Sequence, residues 1–308
     1  MKAVRMWFDG GLRLGAFGHG LEGSEEVLGA DRLYSALTQA CLDLVGQPVP
    51  GEVRISSAFP FVEDEFFFPR PILPIKGLTE NPELRTHYGK KIKQAQFIPH
   101  QAFFAWLAGR DFDMSYAFEG SQEQLSLALA NRTVARVALD RQNASSTLYF
   151  VNKWCFRSEK SGLFCMVDCA EEEWKLLKAA FTWLEDRGVG GKKSSGYGCF
   201  TCEFIDDYSI PDVDDPRCWV TVSCTIPGPG EESELIRYQL TEKHGWVDCK
   251  CPGGPTRKQS IWMIKEGAVF SSPNVRGSIV DVAPPGHGHP VWRYGLTFLL
   301  PSAVEVKK

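Results

Sequence analysis

The stretch Gly188-Val189-Gly190-Gly191-Lys192-Lys193-Ser194-Ser195-Gly196-Tyr197-Gly198 gathers residue types that can hold a phosphate. Glycines let a backbone approach an anion closely and point successive amides at it. Lys192 and Lys193 add charge, Ser194 and Ser195 add hydroxyl donors, and Tyr197 offers a ring for a base. The bland alternative is a flexible glycine turn. Two nucleotide motifs are excluded. A Walker loop needs Ser or Thr directly after Gly-Lys, in strand–loop–helix order. Here Lys193 follows Gly191-Lys192, and the order reads helix–loop–strand. A dinucleotide fingerprint starting at Gly188 would need a glycine where Lys193 stands.

Other basic residues cluster: Arg85, Lys90, Lys91 and Lys93; Arg132, Arg136 and Arg141; Arg187 with Lys192 and Lys193; Lys250, Arg257, Lys258 and Lys265. Each cluster alone is more often solvated surface than a binding site. The guanidinium forks of Arg136 and Arg141 suit bidentate phosphate contacts, with Asp140 between them to orient one. Net charge is −4 and the pI is near 5.9, which argues against a free-standing protein that coats nucleic acid nonspecifically. A local basic groove on a subunit whose other faces meet protein is compatible with that balance.

Metal-independent RNA cleavage would need a positioned acid and base. Of the six histidines, His19 is the best placed, in a glycine-rich segment, although a histidine in such a loop is more often polar surface. No two carboxylates are placed as an acid–base pair, so no catalytic residue is assigned. Ten cysteines are scattered along a chain without an apolar signal core, so reduced thiols are expected. Cys199 and Cys202 have CxxC spacing within an alternating run, where residues three apart point to opposite faces. Cys249 and Cys251 are no better spaced, and His287-x-His289 lacks further ligands. Neither a metal nor a cofactor is expected, and no apolar run is long enough to span a bilayer. A cytoplasmic protein is the resulting expectation.

The elements that must position the loop follow from periodicity. Ala3 to Phe8 alternates as a strand. Asp31 is expected to cap a helix with Leu33, Leu37, Ala40 and Leu44 on one face, stopped by Gly46 and Pro48. Aromatic strands follow at 53–61 and 65–69. The pattern then dissolves over about 76–98, which reads as a long insertion, and 110–131 is hard to place. Strands return at 134–141, 148–156 and 163–168. A helix opened by Glu171, Glu172 and Glu173 carries Trp174, Leu177, Phe181 and Leu184 on one face, and it leads into the glycine loop and a strand over 199–205. Past an acidic, proline-bearing linker, strands are expected at 218–226, 245–249, 260–265, 277–282 and 292–300, with a short helix at 232–240. Helices on one side of antiparallel sheets predict an α+β chain of two ferredoxin-like (RRM-like) domains, 1–210 and 211–308.

The loop, following the last helix of such a domain, resembles the glycine-rich loop of the RAMP proteins, the RRM-like subunits of CRISPR systems. The resemblance covers most of the chain and is strongest to the Cas-five group, specifically the fourth-subunit family of type III-A Csm effector complexes. Asp31-Arg32-Leu33-Tyr34-Ser35-Ala36-Leu37, Ile55-Ser56-Ser57-Ala58-Phe59-Pro60-Phe61 and Phe68-Pro69-Arg70-Pro71 carry it in the first part. Arg136-Val137-Ala138-Leu139-Asp140-Arg141 with Thr147-Leu148-Tyr149-Phe150 carries it in the middle. Gly267-Ala268-Val269-Phe270 and His289-Pro290-Val291-Trp292-Arg293-Tyr294-Gly295 carry it near the end, with Ala268 where the family pattern has serine. The resemblance implies a subunit with no nuclease activity of its own that grips the repeat-derived 5′ handle of crRNA. It implies contact with the large polymerase-like subunit and with a backbone subunit, and with target RNA only indirectly. The RNA-binding candidates are the loop from Gly188 to Gly198, Arg136, Arg141, Lys90, Lys91 and Lys93. An insertion in this family can wedge against the guide, and Lys76 to Pro99 is the candidate for it. A RAMP endoribonuclease acting on CRISPR precursor RNA, and a pure protein scaffold, remain as alternatives.

Overall fold

A computed structural model describes residues 1–15, 21–25, 27–78, 80–143, 145–157, 159–247 and 256–306. The chain opens with β1 (Lys2–Trp7), α1 (Ala30–Val45), β2 (Arg54–Ile55), β3 (Phe59–Val62) and β4 (Glu65–Pro69). Next come α2 (Pro82–Gln94), β5 (Phe97–Pro99), α3 (His100–Leu107) and α4 (Ser121–Ala128), the last entered through a π-helical turn over Tyr116–Gly120. Then β6 (Leu129–Leu139) and β7 (Ser146–Phe156) form one long hairpin, followed by β8 (Ser161–Asp168), α5 (Glu171–Arg187) and β9 (Thr201–Ile205). The remainder is β10 (Cys218–Thr221), β11 (Leu235–Arg237), β12 (Leu240–Lys243), β13 (Ile261–Ile264), β14 (Val269–Phe270), β15 (Gly277–Asp281), β16 (Trp292–Leu296) and β17 (Leu299–Ser302).

Seven strands make one sheet in the order β5-β4-β3-β8-β1-β9, with β2 also on β8. Every pairing in it is antiparallel. Alternation along the strands sends side chains to two faces, and both faces are buried. On one, Val4, Met6, Leu163, Cys165 and Val167 pack with Leu33 and Leu37 of α1 and with Trp174, Leu177 and Phe181 of α5. On the other, Ala3, Phe59, Phe61, Phe164 and Met166 meet Phe103 and Phe104 of α3, and Val220, Val269 and Leu300 from the C-terminal strands. Those strands form a four-stranded sheet, β11-β14-β10-β17, and two hairpins, β12-β13 and β15-β16.

α5 forms as its sequence predicts: the Ala170 amide donates to the Glu173 carboxylate at 2.8 Å, and Gly188 (φ 71°) ends the helix. Two expectations fail for local reasons, and the aperiodic 76–98 stretch gains an element the pattern did not show. Asp31 does not cap α1; the Ser57 hydroxyl accepts from the Ala30 amide at 3.0 Å, and Asp31 turns inward, while Leu44 is exposed. The 76–98 stretch, aperiodic in sequence, contains α2. Asn81 accepts from the amides of Glu83 and Leu84 at 3.0 and 3.2 Å and Pro82 opens the first turn, so caps make α2 where periodicity is missing. Only Ile92 of α2 is buried, which explains why no apolar stripe marks it. The expected helix at 232–240 is a 3₁₀ turn over Glu231–Glu234 that runs into β11. There the Glu231 carboxylate gathers the amides of Gly228, Arg276 and Gly277, and Leu235 pairs with Phe270. Among the described residues no helix is long and apolar enough to cross a membrane.

Candidate nucleic-acid interface

The glycine loop is built against the segment that follows β1. The Gly191 amide donates to Arg13 O and the Gly198 amide to Gly11 O, both at 2.9 Å. A Cβ on Gly190 would lie 2.5 Å from Arg13 O, and one on Gly198 would lie 1.9 Å from Val189 O. These two glycines therefore serve backbone-to-backbone packing within the chain, each at a positive φ. The outward part is residues 192–196, all exposed. Lys192 adopts the left-handed conformation (φ 59°) and Lys193–Ser195 form a 3₁₀ turn. The amides of Lys192, Lys193 and Ser194 have no hydrogen-bond partner among the described residues. Tyr197 differs from its expected role: its ring is buried and its hydroxyl accepts from Arg136 at 2.8 Å, with the Lys153 ammonium 4.9 Å over the ring. It anchors the loop to the β6–β7 hairpin and presents no face to a base.

The loop forms one side of a cleft of about 1400 Å³. α1, the C-terminal end of α5 and the loop make this wall; residues 244–246, 257–258 and 292–293 make the opposite one. Eight Lys and Arg line it against three Asp and Glu, so the cleft is basic although the chain is acidic. Three tryptophans also line it: Trp183, Trp246 and Trp292, 36%, 55% and 47% exposed. Sequence reasoning missed all three, because an aromatic in an alternating or helical run reads as core.

A buried charge network holds the two walls together. Asp31, fully buried at the start of α1, pairs with Arg293 of β16. Lys243 of β12 bonds Glu25 at 3.0 Å, and Glu25 bonds Arg32 at 2.6 Å. Burial alone would raise the Asp31 carboxyl, but Lys243, Arg293 and Arg32 outweigh it and hold the group well below the usual carboxylate range. Burial would likewise lower the Lys243 ammonium, yet Asp31, Cys224 and Glu25 keep it above its ordinary range. Next to the ion pair Tyr294 stacks on Tyr34 at 4.5 Å and its hydroxyl accepts from the Ile55 amide at 2.8 Å. Ser57 also bonds Glu266, and Ile72 donates to Gly267 O at 2.8 Å. The sequence motifs at 31–37, 55–61, 68–71, 267–270 and 289–295 thus meet in the interior.

The structure brings some predicted site residues together and separates others. Gly188, Gly190, Gly191, Lys192 and Lys193 line the cleft. Ser194, Ser195 and Gly196 complete the exposed turn, and Arg136 joins it through Tyr197. Arg141 lies in the turn of the β6–β7 hairpin, exposed. Asp140 does not orient a guanidinium; its carboxylate accepts from the Gln142 amide at 2.8 Å and the Asn143 side chain at 3.0 Å, closing that turn. Lys90, Lys91 and Lys93 sit on α2, beside β5 at the sheet edge opposite β9, and do not line the cleft. Lys91 is paired with Glu119, whose carboxyl it holds down at about 2. His19, Lys250, Cys249 and Cys251 lie outside the described residues. Burial pushes the Cys202 thiol up to about 12, and no group of His, Cys, Asp and Glu among the described residues is arranged to hold a metal.

Known proteins resemble this chain along nearly its whole length. The family model for the CRISPR Csm4 C-terminal domain matches residues 215–302. The CRISPR system Cms protein Csm4 of Thermococcus onnurineus is 29% identical over 293 residues, covering 90% of this chain and 91% of that protein. A chain in the crystal structure of a Csm1–Csm4 cassette in complex with AMPPNP superposes with a TM-score of 0.66 at 23% identity, covering 100% of this chain and 98% of that one. A chain in the crystal structure of the Csm3–Csm4 subcomplex of the type III-A CRISPR-Cas interference complex gives 0.63 at 18% identity, covering 98% and 99%. These structural likenesses establish a shared mixed α/β fold with antiparallel sheets.

Proposed function

We propose that this chain, a Csm4-like RAMP protein, is the cytoplasmic, non-catalytic subunit of a type III-A Csm effector complex that joins the large polymerase-like Csm1 to the backbone subunit Csm3. In that place it holds the repeat-derived 5′ handle of crRNA and meets target RNA only through the guide. The solved structures that share its fold join Csm4 to Csm1 in one case and to Csm3 in the other.

The observation that carries the RNA-binding part is the basic, tryptophan-lined cleft whose one side is the exposed Lys192–Gly196 turn. Lysine ammoniums and free amides there suit phosphate oxygens. The β9-β1-β8-β3 order with α1 and α5 on one face supports a ferredoxin-like first domain, residues 1–210. Strands after residue 210 ladder only with one another, in keeping with a second, smaller unit over 211–308. The wedge against the guide is better assigned to the β6–β7 hairpin, exposed over its outer half, than to α2.

The test is equilibrium binding of repeat RNA as a function of salt. Single-stranded RNA binding releases counterions, about 0.7 per neutralised phosphate. Replacing Lys192 and Lys193 with Ala is expected to weaken binding and flatten the log–log salt slope by about 1.4 for two lost contacts. An unchanged slope in a folded variant would remove the loop from the RNA-binding site.

A further inference from the structure

We propose that the cleft takes single-stranded RNA with its bases unstacked, and that Trp183, Trp246 and Trp292 are the platforms on which those bases sit; this rests on the guide-handle reading above. Large exposed aromatic rings lose the burial that normally justifies them, and here three of them face one cavity from both walls. Trp183 projects from α5 on the loop side, while Trp246 and Trp292 project from the C-terminal side. Lys192 and Lys193 line the same cleft as Trp183. This is the layout of a strand whose phosphates run along the loop and whose bases turn to the walls.

Two of the rings carry a guanidinium. Arg187 lies 5.0 Å over Trp183, and Arg257 lies 5.0 Å over Trp246. Each pair offers the rest of an exposed ring to a base and a cation to the adjoining phosphate. The rings are also held in place. Trp183 precedes the buried Leu184 on α5, Trp246 is bridged to Arg257 across the chain, and Trp292 precedes Arg293, which is locked to Asp31. Rings on restrained backbone lose little freedom when a base stacks on them. A duplex is the wrong ligand for this arrangement, since A-form pairing keeps base faces stacked inside the helix.

The experiment uses the full chain and two oligonucleotides of equal length, a single-stranded repeat RNA and the same backbone with abasic nucleotides, followed by tryptophan quenching and fluorescence anisotropy. Intact RNA is expected to quench the protein, and the abasic strand to bind more weakly. Trp246→Ala and Trp292→Ala are expected to lose about 5- to 100-fold in affinity each, with an unchanged salt slope and partial recovery in the Phe variants. Equal binding of both strands, or of wild type and the Ala variants, overturns the stacking proposal while leaving the guide-handle reading standing if Lys192 and Lys193 still matter. No binding of either strand, with a polyglutamate peptide bound in their place, overturns both.

Discussion

Replacing Asp31 with Asn leaves Arg293 without its paired carboxylate and removes one of the negative charges facing Lys243, which keeps its bond to Glu25. The Asp31 side chain is completely buried, and Arg293 and Lys243 are only 6% and 8% exposed. Neither cation can recover solvation by turning outward without opening the seam between α1 and the C-terminal strands. Breaking a buried pair by removing one partner costs about 3–5 kcal/mol. The exposed Glu172–Lys175 pair on α5, 2.8 Å apart, sets the contrast: Lys175→Ala is expected to cost under about 0.5 kcal/mol. Urea unfolding of the three proteins measures both. A pH series gives a second signature. The Asp31 carboxyl is held below its ordinary value of 3.8, so folding favours the charged form. Its stabilisation is complete above that ordinary value and is lost as pH falls toward the depressed one. The Asn variant should therefore lose less stability than the parent on acidification below about pH 4. A cost below about 1 kcal/mol, or identical acid limbs, would refute a buried charge seam.

Two glycines in the loop should respond differently to alanine. Gly196 (φ +79°) has open space where a Cβ would go, so Gly196→Ala is expected to cost about 1–2 kcal/mol of backbone strain alone; Gly198→Ala must also displace Val189 O and should lower the melting temperature much further. Arg141→Ala is expected to impair crRNA retention, measured by RNA co-purification, whereas Asp140→Asn should leave target-RNA cleavage by the assembled complex intact because Asp140 only closes a turn. End-labelled precursor RNA incubated with the pure chain, with or without divalent metal, should remain uncut; site-specific cleavage that disappears in His19→Ala would make this a processing endoribonuclease.

The position of α5 was legible because its buried residues, Trp174, Leu177, Phe181 and Leu184, follow the helical period, and β1 was legible from its run of buried Ala3, Val4 and Met6. α2 was not, since its signal is an Asn81-Pro82 start and a basic last turn over a helix with one buried residue. The glycine loop could be located from composition, but not what its glycines are for. Their close contacts are with backbone, Gly190 with Arg13 O and Gly198 with Val189 O, and backbone contacts leave no side-chain pattern. Lys90, Lys91 and Lys93 were conspicuous as a cluster, yet adjacency in sequence says nothing about which sheet edge a helix covers. The far wall of the cleft was illegible for the converse reason. Trp246, Arg257 and Trp292 belong to separate short elements and become a surface only when Asp31 and Lys243 draw those elements against α1. The motifs at 31–37 and 289–295 were visible separately; their meeting through Arg293 and Tyr294 is a property of the folded chain.

The seam at Asp31 also sets an order of events during synthesis. Asp31 and Arg293 are 262 positions apart, and Tyr294 reaches back 239 positions to Ile55. At about 5–20 residues per second, α1 leaves the ribosome roughly 13–50 s before the arginine that neutralises its buried carboxylate exists. Until Arg293 is made, the carboxylate lacks the guanidinium it pairs with in the folded chain, with only Arg32 and, later, Lys243 to offset its burial. Nascent chains truncated before residue 293 should thus carry the helices of the first sheet without a finished groove.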